Sequence, residues 1–315
     1  MSEIEGSRVS YVVIEEGSEG QRLDNFLIKK IKGAPKSFIY RIIRKGEVRV
    51  NKKRAKQTTR LALGDSVRIP PVVMKASPDK PSSLQKLAAI RDCIIFEDDY
   101  MLAMNKPAGL PVHGGTGLSG GLIELLRAAR PDLRYIELVH RLDKGTSGCL
   151  LLAKKRSILR ELHSILREHG MKKHYLALTQ GHWASGALKV NVPLEKFHRV
   201  SGERVVKVGP EGKEAKTHFK VLKTFDKASL MEVRLLTGRT HQIRVHAQYQ
   251  QHSVAGDEKY GDKVFNQYCR GFGLKRMFLH AARLAFYLSS QEREVKLEAP
   301  LDEKLTRVIQ RLEDE

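Results

Sequence analysis

The sequence predicts an α+β protein with two unequal domains, and three observations carry that prediction. Residues 21 to 60 hold fourteen Lys or Arg against two acids, Asp24 and Glu47, yet their apolar residues fall at helical spacing. Residues 71 to 91 interleave Pro71, Pro78 and Pro81 with Ser and Lys, the composition of an exposed linker. From 92 to 315, short apolar or alternating runs are joined by tight turns with helices interspersed. That pattern belongs to a mixed, mainly antiparallel sheet flanked by helices and loops. The expected division is an N-terminal segment 1–19, a small αβ domain 20–70, a linker 71–91 and a large domain 92–315.

The chain has 315 residues and a net charge of +21. A balance this basic points to a polyanionic partner, most often nucleic acid. No apolar run approaches the roughly 18 to 20 residues that cross a bilayer. None follows the polar start Met1-Ser2-Glu3-Ile4-Glu5, so a secretory signal is not expected and the cytoplasm is the default setting. Cys93, Cys149 and Cys269 are scattered and odd in number, which suits neither a disulfide framework nor a metal pair. His241 and His246 stand five apart rather than four. Neither a metal nor a cofactor is expected.

In the basic domain, Leu23, Phe26, Leu27 and Ile31 form one helical stripe. After Gly33-Ala34-Pro35, Ser37 is placed to cap a second helix, with Phe38, Ile39, Ile42 and Ile43 turned inward and Arg41, Arg44 and Lys45 outward. Gly46 ends it, Val48 to Asn51 starts a strand, and Leu61 to Ile69, turning at Gly64-Asp65, returns as another. The run Arg41-Ile42-Ile43-Arg44-Lys45-Gly46-Glu47-Val48-Arg49-Val50-Asn51 resembles the S4 RNA-binding domain. Arg41, Arg44, Lys45 and Arg49 are expected to grip phosphates, which gives affinity but little sequence information.

The large domain opens with two apolar runs, Cys93 to Glu97 and Met101 to Asn105. The glycine-rich stretch 106–117 lacks the Lys-Ser/Thr of a phosphate-binding loop. Tyr135 to Val139 and Cys149 to Lys154 read as strands around His140-Arg141-Leu142-Asp143-Lys144-Gly145-Thr146-Ser147-Gly148. On these nine residues alone, Asp143 is either a displayed nucleophile or base, or an ordinary turn residue paired with a neighbouring cation. A helix over 156–168 and a strand over 173–178 follow. Residues 217–225 and 230–236 form an antiparallel pair turning at Asp226-Lys227. Thr240 is placed to cap a helix carrying His241, Arg244 and His246. A strand over 277–288 and a helix with Leu301, Leu305, Val308, Ile309 and Leu312 in register end the chain.

Three stretches settle Asp143: His140 to Gly148, Lys173-His174-Tyr175-Leu176-Ala177-Leu178, and Thr237-Gly238-Arg239-Thr240-His241-Gln242-Ile243-Arg244-Val245-His246. Together they resemble the catalytic domain of the RluA-type pseudouridine synthases, over about residues 92–300. After His252, where that family often has Pro, this chain has Ser253. With the S4-like domain ahead, the chain resembles members acting on 23S large-subunit ribosomal RNA. The resemblance implies isomerisation of uridine to pseudouridine at several separate sites, three by that likeness, without cofactor; a free RNA-gripping arm suits a monomer. Another rRNA or tRNA uridine, a non-catalytic RNA-binding assembly factor and a hydrolytic nucleosidase are the alternatives. It implies Asp143 as nucleophile, Arg244 as its partner, Tyr175 as a ring stacked on the base with a hydroxyl near the C5 proton, and Arg141 in the space left by a flipped base. Arg239, at a helix N-terminus, and Lys173 are candidate phosphate ligands. Leu279 is either the apolar floor of the site or plain core.

Overall fold

The computed structural model describes residues 9–15, 18–31, 34, 36–71, 84–114, 120–183, 187–198 and 204–315. The chain divides into two compact units, with the boundary at Pro81–Ser82.

The first unit holds β1 (Ser10–Val13), α1 (Leu23–Lys30), α2 (Lys36–Arg44), β2 (Arg49–Val50), β3 (Lys53–Arg54) and β4 (Ser66–Ile69). The strands form one antiparallel sheet in the order β1-β4-β2-β3. Leu23, Phe26 and Leu27 of α1 and Ile39, Ile42 and Ile43 of α2 are buried against Val48, Leu61, Val67 and Ile69. The two expected helical stripes are therefore the two halves of one core. Asp24 is an unforeseen tie. It is almost fully buried, accepts two hydrogen bonds from Arg22 and one from the Tyr40 hydroxyl, and so joins α1 to α2. Three expectations need correction. Ser37 lies inside α2 and not ahead of it. The returning strand spans only 66–69, because 61–65 is spent on a turn in which Gly64 takes a positive φ. The segment read as a plain N-terminal extension contributes β1, the edge strand of the sheet.

The second unit begins with α3 (Leu84–Asp92), which occupies the last residues of the segment read as linker; residues 72–83 lie outside those described. There follow β5 (Ile94–Glu97), β6 (Met101–Lys106), α4 (Leu122–Ala129), β7 (Glu137–Leu138), β8 (Ser147–Ala153), α5 (Arg156–Arg167), β9 (Lys172–Gln180), β10 (Ala187–Asn191), β11 (Leu194–His198), β12 (Arg204–Val208), β13 (Lys216–Thr224), β14 (Ala228–Leu235), α6 (Gln242–Tyr249), α7 (Lys263–Gly271), β15 (Leu279–Leu288), β16 (Arg293–Glu298) and α8 (Glu303–Glu313). The main sheet runs β10-β13-β14-β9-β15-β8-β6-β5, with β16 on β15 and β7 on β8, while β11 and β12 form a separate hairpin. Every pairing of described strands is antiparallel except β15 with β8.

The centre of this sheet is buried on both faces. Leu150 and Leu152 of β8 join one core with α3 and α4, while Cys149, Leu151 and Ala153 turn the other way toward α5. This is why 149–153 reads as an unbroken apolar run. Cys149 serves packing, as expected, and burial pushes its thiol up to about 12. A third core joins α7 and α8 to Leu178 and Phe278.

Candidate active site

The site lies where the sheet changes from antiparallel to parallel. Strands β8 and β15 start side by side, with Ser147 opposite His280 and Gly148 opposite Ala281. On the other side of β15, Ala281 faces Tyr175 of β9. The loop 140–146 ahead of β8 therefore opens beside Tyr175 and Leu279. Gly148 makes that junction possible. Its φ is +109°, and a Cβ there would lie 2.3 Å from the Ala281 carbonyl oxygen. Several bonds hold the loop from behind. His140 Nε2 accepts from the Leu151 amide, and burial pushes that imidazole down to about 4, so it stays neutral. The Lys144 carbonyl accepts from the Gly109 amide at 2.7 Å and from Lys106 Nζ at 3.4 Å. Lys106 is fully buried. Burial pulls its ammonium down to about 8, although the charge of Asp143 opposes the shift.

From the opposite wall comes α6. Arg244 Nη1 stands 3.6 Å from Asp143 Oδ2, and His241 Nε2 stands 3.7 Å from the same oxygen. The two stretches lie about a hundred positions apart in the chain, and the fold joins them as the resemblance implied. Arg244 has a closer partner than Asp143, however. It donates from Nε and Nη2 to the two oxygens of Asp257, at 2.6 and 2.7 Å, with Asp257 1% exposed. Burial raises the Asp257 carboxyl, but the bonds and charge of Arg244 and the amides of Tyr260 and Lys259 outweigh it, and the net shift is downward. A fork held at both tips cannot swing, so Arg244 presents its remaining nitrogen to Asp143 in one direction. Its guanidinium also lies over the Tyr260 ring, 4.8 Å from the centroid.

His241 has left-handed backbone, with φ of +57°, and its Nδ1 is 2.8 Å from the Tyr260 hydroxyl. That hydroxyl already accepts from the Val206 amide of β12, so its own proton is free for His241 Nδ1. The imidazole then carries its hydrogen on Nε2, facing Asp143. Thr240 does not cap α6. His241 occupies the N-cap without a side-chain bond, and the turn is closed instead by Gln242, whose Oε1 accepts from the Thr237 hydroxyl and the Arg239 amide.

These walls enclose a cavity of about 540 Å³, within the usual range for a small-molecule site. Among its described lining residues Asp143 is the only carboxylate. Arg141, Lys173, Tyr175, Arg239, Arg244 and Leu279 all line it. Arg141 is exposed and has no ion pair with another described residue. Lys173 is largely covered, and burial lowers its ammonium. Arg239 stands three residues ahead of α6 and not at its N-terminus, and it donates from Nε to the Glu214 carbonyl. Tyr175 is 8% exposed, and burial together with the charge of Asp143 raises its phenol above the ordinary value. Leu279 belongs to the core and also lines the cavity. Arg41, Arg44, Lys45 and Arg49 lie in the first unit, all exposed. Among the described residues no group of three or more His, Cys, Asp or Glu could hold a metal ion.

Residues 100–249 match the family model described as RNA pseudouridylate synthase, and residues 21–67 match that of the S4 domain. The chain is 54% identical over 299 residues to the ribosomal large subunit pseudouridine synthase C of Yersinia pestis, covering 94% of this chain and 93% of that one. It is 53% identical over 308 residues to the protein of the same name from Escherichia coli strain K12, covering 96% and 97%. The chain belongs to the RNA pseudouridylate synthase family. It is thus an isomerase with an S4 RNA-binding domain. Among solved structures, the human RNA pseudouridylate synthase domain containing 4 superposes with a TM-score of 0.60 at 25% identity, over 72% of this chain and 95% of that one.

Sequence reasoning missed Lys106, Asp257, Tyr260 and the place of His241. Asp257 and Tyr260 sit in the loop where Ser253 departs from the family pattern. Ser253 donates to the Tyr260 carbonyl and closes that loop without proline. A Gly-Asp pair in a loop carries the signature of a turn, and nothing in its spacing announces a buried ion pair.

Proposed function

We propose that this pseudouridine synthase acts on 23S large-subunit ribosomal RNA, at several separate uridines, with Asp143 as nucleophile on a uridine turned out of its helix. The observation that carries the reading is the meeting of Asp143, Arg244, Tyr175 and Leu279 in one cavity. The substrate rests on relatives whose names specify the ribosomal large subunit, and the number three on the resemblance alone.

In this reading Asp143 attacks C1′ of the ribose, an ester forms and the N1–C1′ bond breaks, leaving its electron pair on the uracil ring. The ring stays between Tyr175 and Leu279, turns, and offers C5 to C1′ as the ester bond breaks. A proton then leaves C5 and one is taken up at N1, so that the product is an isomer of the substrate. Addition of Asp143 to C6 of the ring would use the same carboxylate and the same walls. Either route needs the acid ionised and aimed, the task assigned to Arg244 and His241. Tyr175 enters as a phenol, because its proton is held more tightly than usual. To take the C5 proton it must hand on its own in the same step, and Asp143 is the neighbouring acceptor. Arg141, exposed at the rim, is assigned to the gap in the helix, where lost stacking costs a few kcal/mol.

A hydrolytic reading would need a second carboxylate to activate water. Asp257, on the other side of Arg244, is bound to that guanidinium and closed to solvent. The test is a map of pseudouridines in rRNA from cells lacking this chain. Loss of specific 23S positions, restored by the native gene, is expected. An unchanged 23S map with pseudouridine lost from tRNA would overturn the substrate assignment.

A further inference from the structure

We propose that the outer face of the small sheet in the first unit binds an unpaired nucleotide of RNA, apart from the basic face of α2. The inference takes from the proposed function only that the polyanion is RNA. The pairing register sets Tyr11, Arg68, Arg49 and Arg54 in one row across all four strands. Their neighbours Val12, Val67 and Val50 turn the other way, into the core covered by α1 and α2. The row therefore faces away from α2, which carries Arg41 and Arg44.

Three features make this more than a solvated sheet face. The first is that the guanidiniums are anchored by successive carbonyls of one turn: Arg54 donates to Lys45 at 3.5 Å, Arg49 to Gly46 at 3.4 Å and Arg68 to Glu47 at 2.6 Å. None of the three has a carboxylate partner among the described residues. Their charge is held in place and left unneutralised, the state suited to phosphate. The second is Tyr11, 65% exposed on the same face, a large ring in water where an aromatic side chain would ordinarily find cover. The third is shape. Tyr11, Arg49, Arg68, Asn51 and Lys52 line one concavity of about 750 Å³. An aromatic wall beside fixed cations is how single-stranded RNA is held without sequence preference, with one base on the ring and its phosphate on the cations. A paired base offers no free face to that ring.

The test titrates the full-length chain with a fluorescein-labelled oligouridylate at several salt concentrations. Tyr11→Leu is expected to weaken binding about tenfold, and Tyr11→Phe to stay within about twofold of the native chain, because the ring and not the hydroxyl is used. Arg68→Gln is expected to flatten the log–log salt dependence by about 0.7, one phosphate's share for a single strand. Turnover at saturating rRNA should stay native in the Tyr11 variants, since no residue of the second unit is altered. Leucine binding as tightly as tyrosine, or phenylalanine failing with leucine, overturns the proposal. A native chain that binds the oligonucleotide but makes no pseudouridine overturns the proposed function and leaves this site standing.

Discussion

Arg244 serves two carboxylates of different kinds, and the difference organises the site. Asp257 is 1% exposed and bound at both oxygens, whereas Asp143 is 24% exposed and stands 3.6 Å away. The first fixes the guanidinium; the second is steered by it. Removing one partner of a buried pair typically costs about 3 to 5 kcal/mol, because the other charge is stranded. Asp257→Ala is therefore expected to lower the melting temperature sharply as well as slow turnover, and a melting scan of the variant checks this. The pH dependence follows from the lowered Asp257 carboxyl. Its stabilisation is complete above the ordinary carboxylate range and is lost as pH falls through the folded value. Asp257→Asn should flatten stability against pH in that acidic window, measured by denaturant titration. Tyr175 gives a separate prediction. If its hydroxyl relays the C5 proton, Tyr175→Phe should slow turnover and expose an isotope effect with 5-deuterouridine RNA, while Tyr175→Ala should also raise KM by removing the ring. A phenylalanine variant as fast as the native chain would show the hydroxyl to be idle. Of these residues, Arg244 and Tyr175 were legible in the sequence only through a family resemblance. Asp257 was not, because its partner lies a helix away and its own neighbours spell a turn.

The parallel junction of β8 and β15 rests on one glycine. At Gly148 any side chain meets the Ala281 backbone at 2.3 Å and must also adopt a positive φ, so Gly148→Ala has no flexible neighbour to displace. It is expected to yield little folded protein, or a chain whose Asp143 loop is displaced and inactive; expression and a melting scan test this, and a native melt with full activity would refute it. At the start of α6, His241→Ala should reduce kcat with little change in KM, since it faces Asp143 and not the RNA, and the readout is single-turnover rate against RNA concentration. Elements that feed a core on one or both faces could be read from the sequence. Such were β8, β9, β13, β14, α5 and α8. The hairpin β11–β12 could not: it buries little beyond Leu194, Val205 and Val206, and what it gives the site is a single amide bonded to Tyr260. Nor could α3, masked by the proline-rich composition before it, or α7, whose cap Asp262 sits among turn residues.

Charge divides the labour along the chain. The densest run of cations, fourteen against two acids in residues 21–60, lies in the first unit, where Arg41, Arg44 and Lys45 are exposed, whereas the cavity of the second unit balances one acid against a few positioned cations. Neutralising Arg41, Arg44 and Lys45 together to Gln is expected to raise KM and reduce the salt dependence of binding while leaving kcat near native. Steady-state kinetics at two ionic strengths would show it, and a fall in kcat with unchanged KM would argue against a purely gripping role. The two-part organisation and the mainly antiparallel sheet were legible because composition shifts abruptly near the prolines and because short alternating runs repeat beyond them. The convergence of residues 143, 175 and 244 was legible only through the family resemblance, since nothing local in the sequence encodes a meeting of three distant segments. That convergence is tested most directly by Asp143→Asn assayed on unmodified 23S rRNA, with pseudouridine and RNA affinity measured on the same preparation. The expected result is no detectable pseudouridine with affinity within about twofold of native; an asparagine variant forming pseudouridine at the native rate would contradict it.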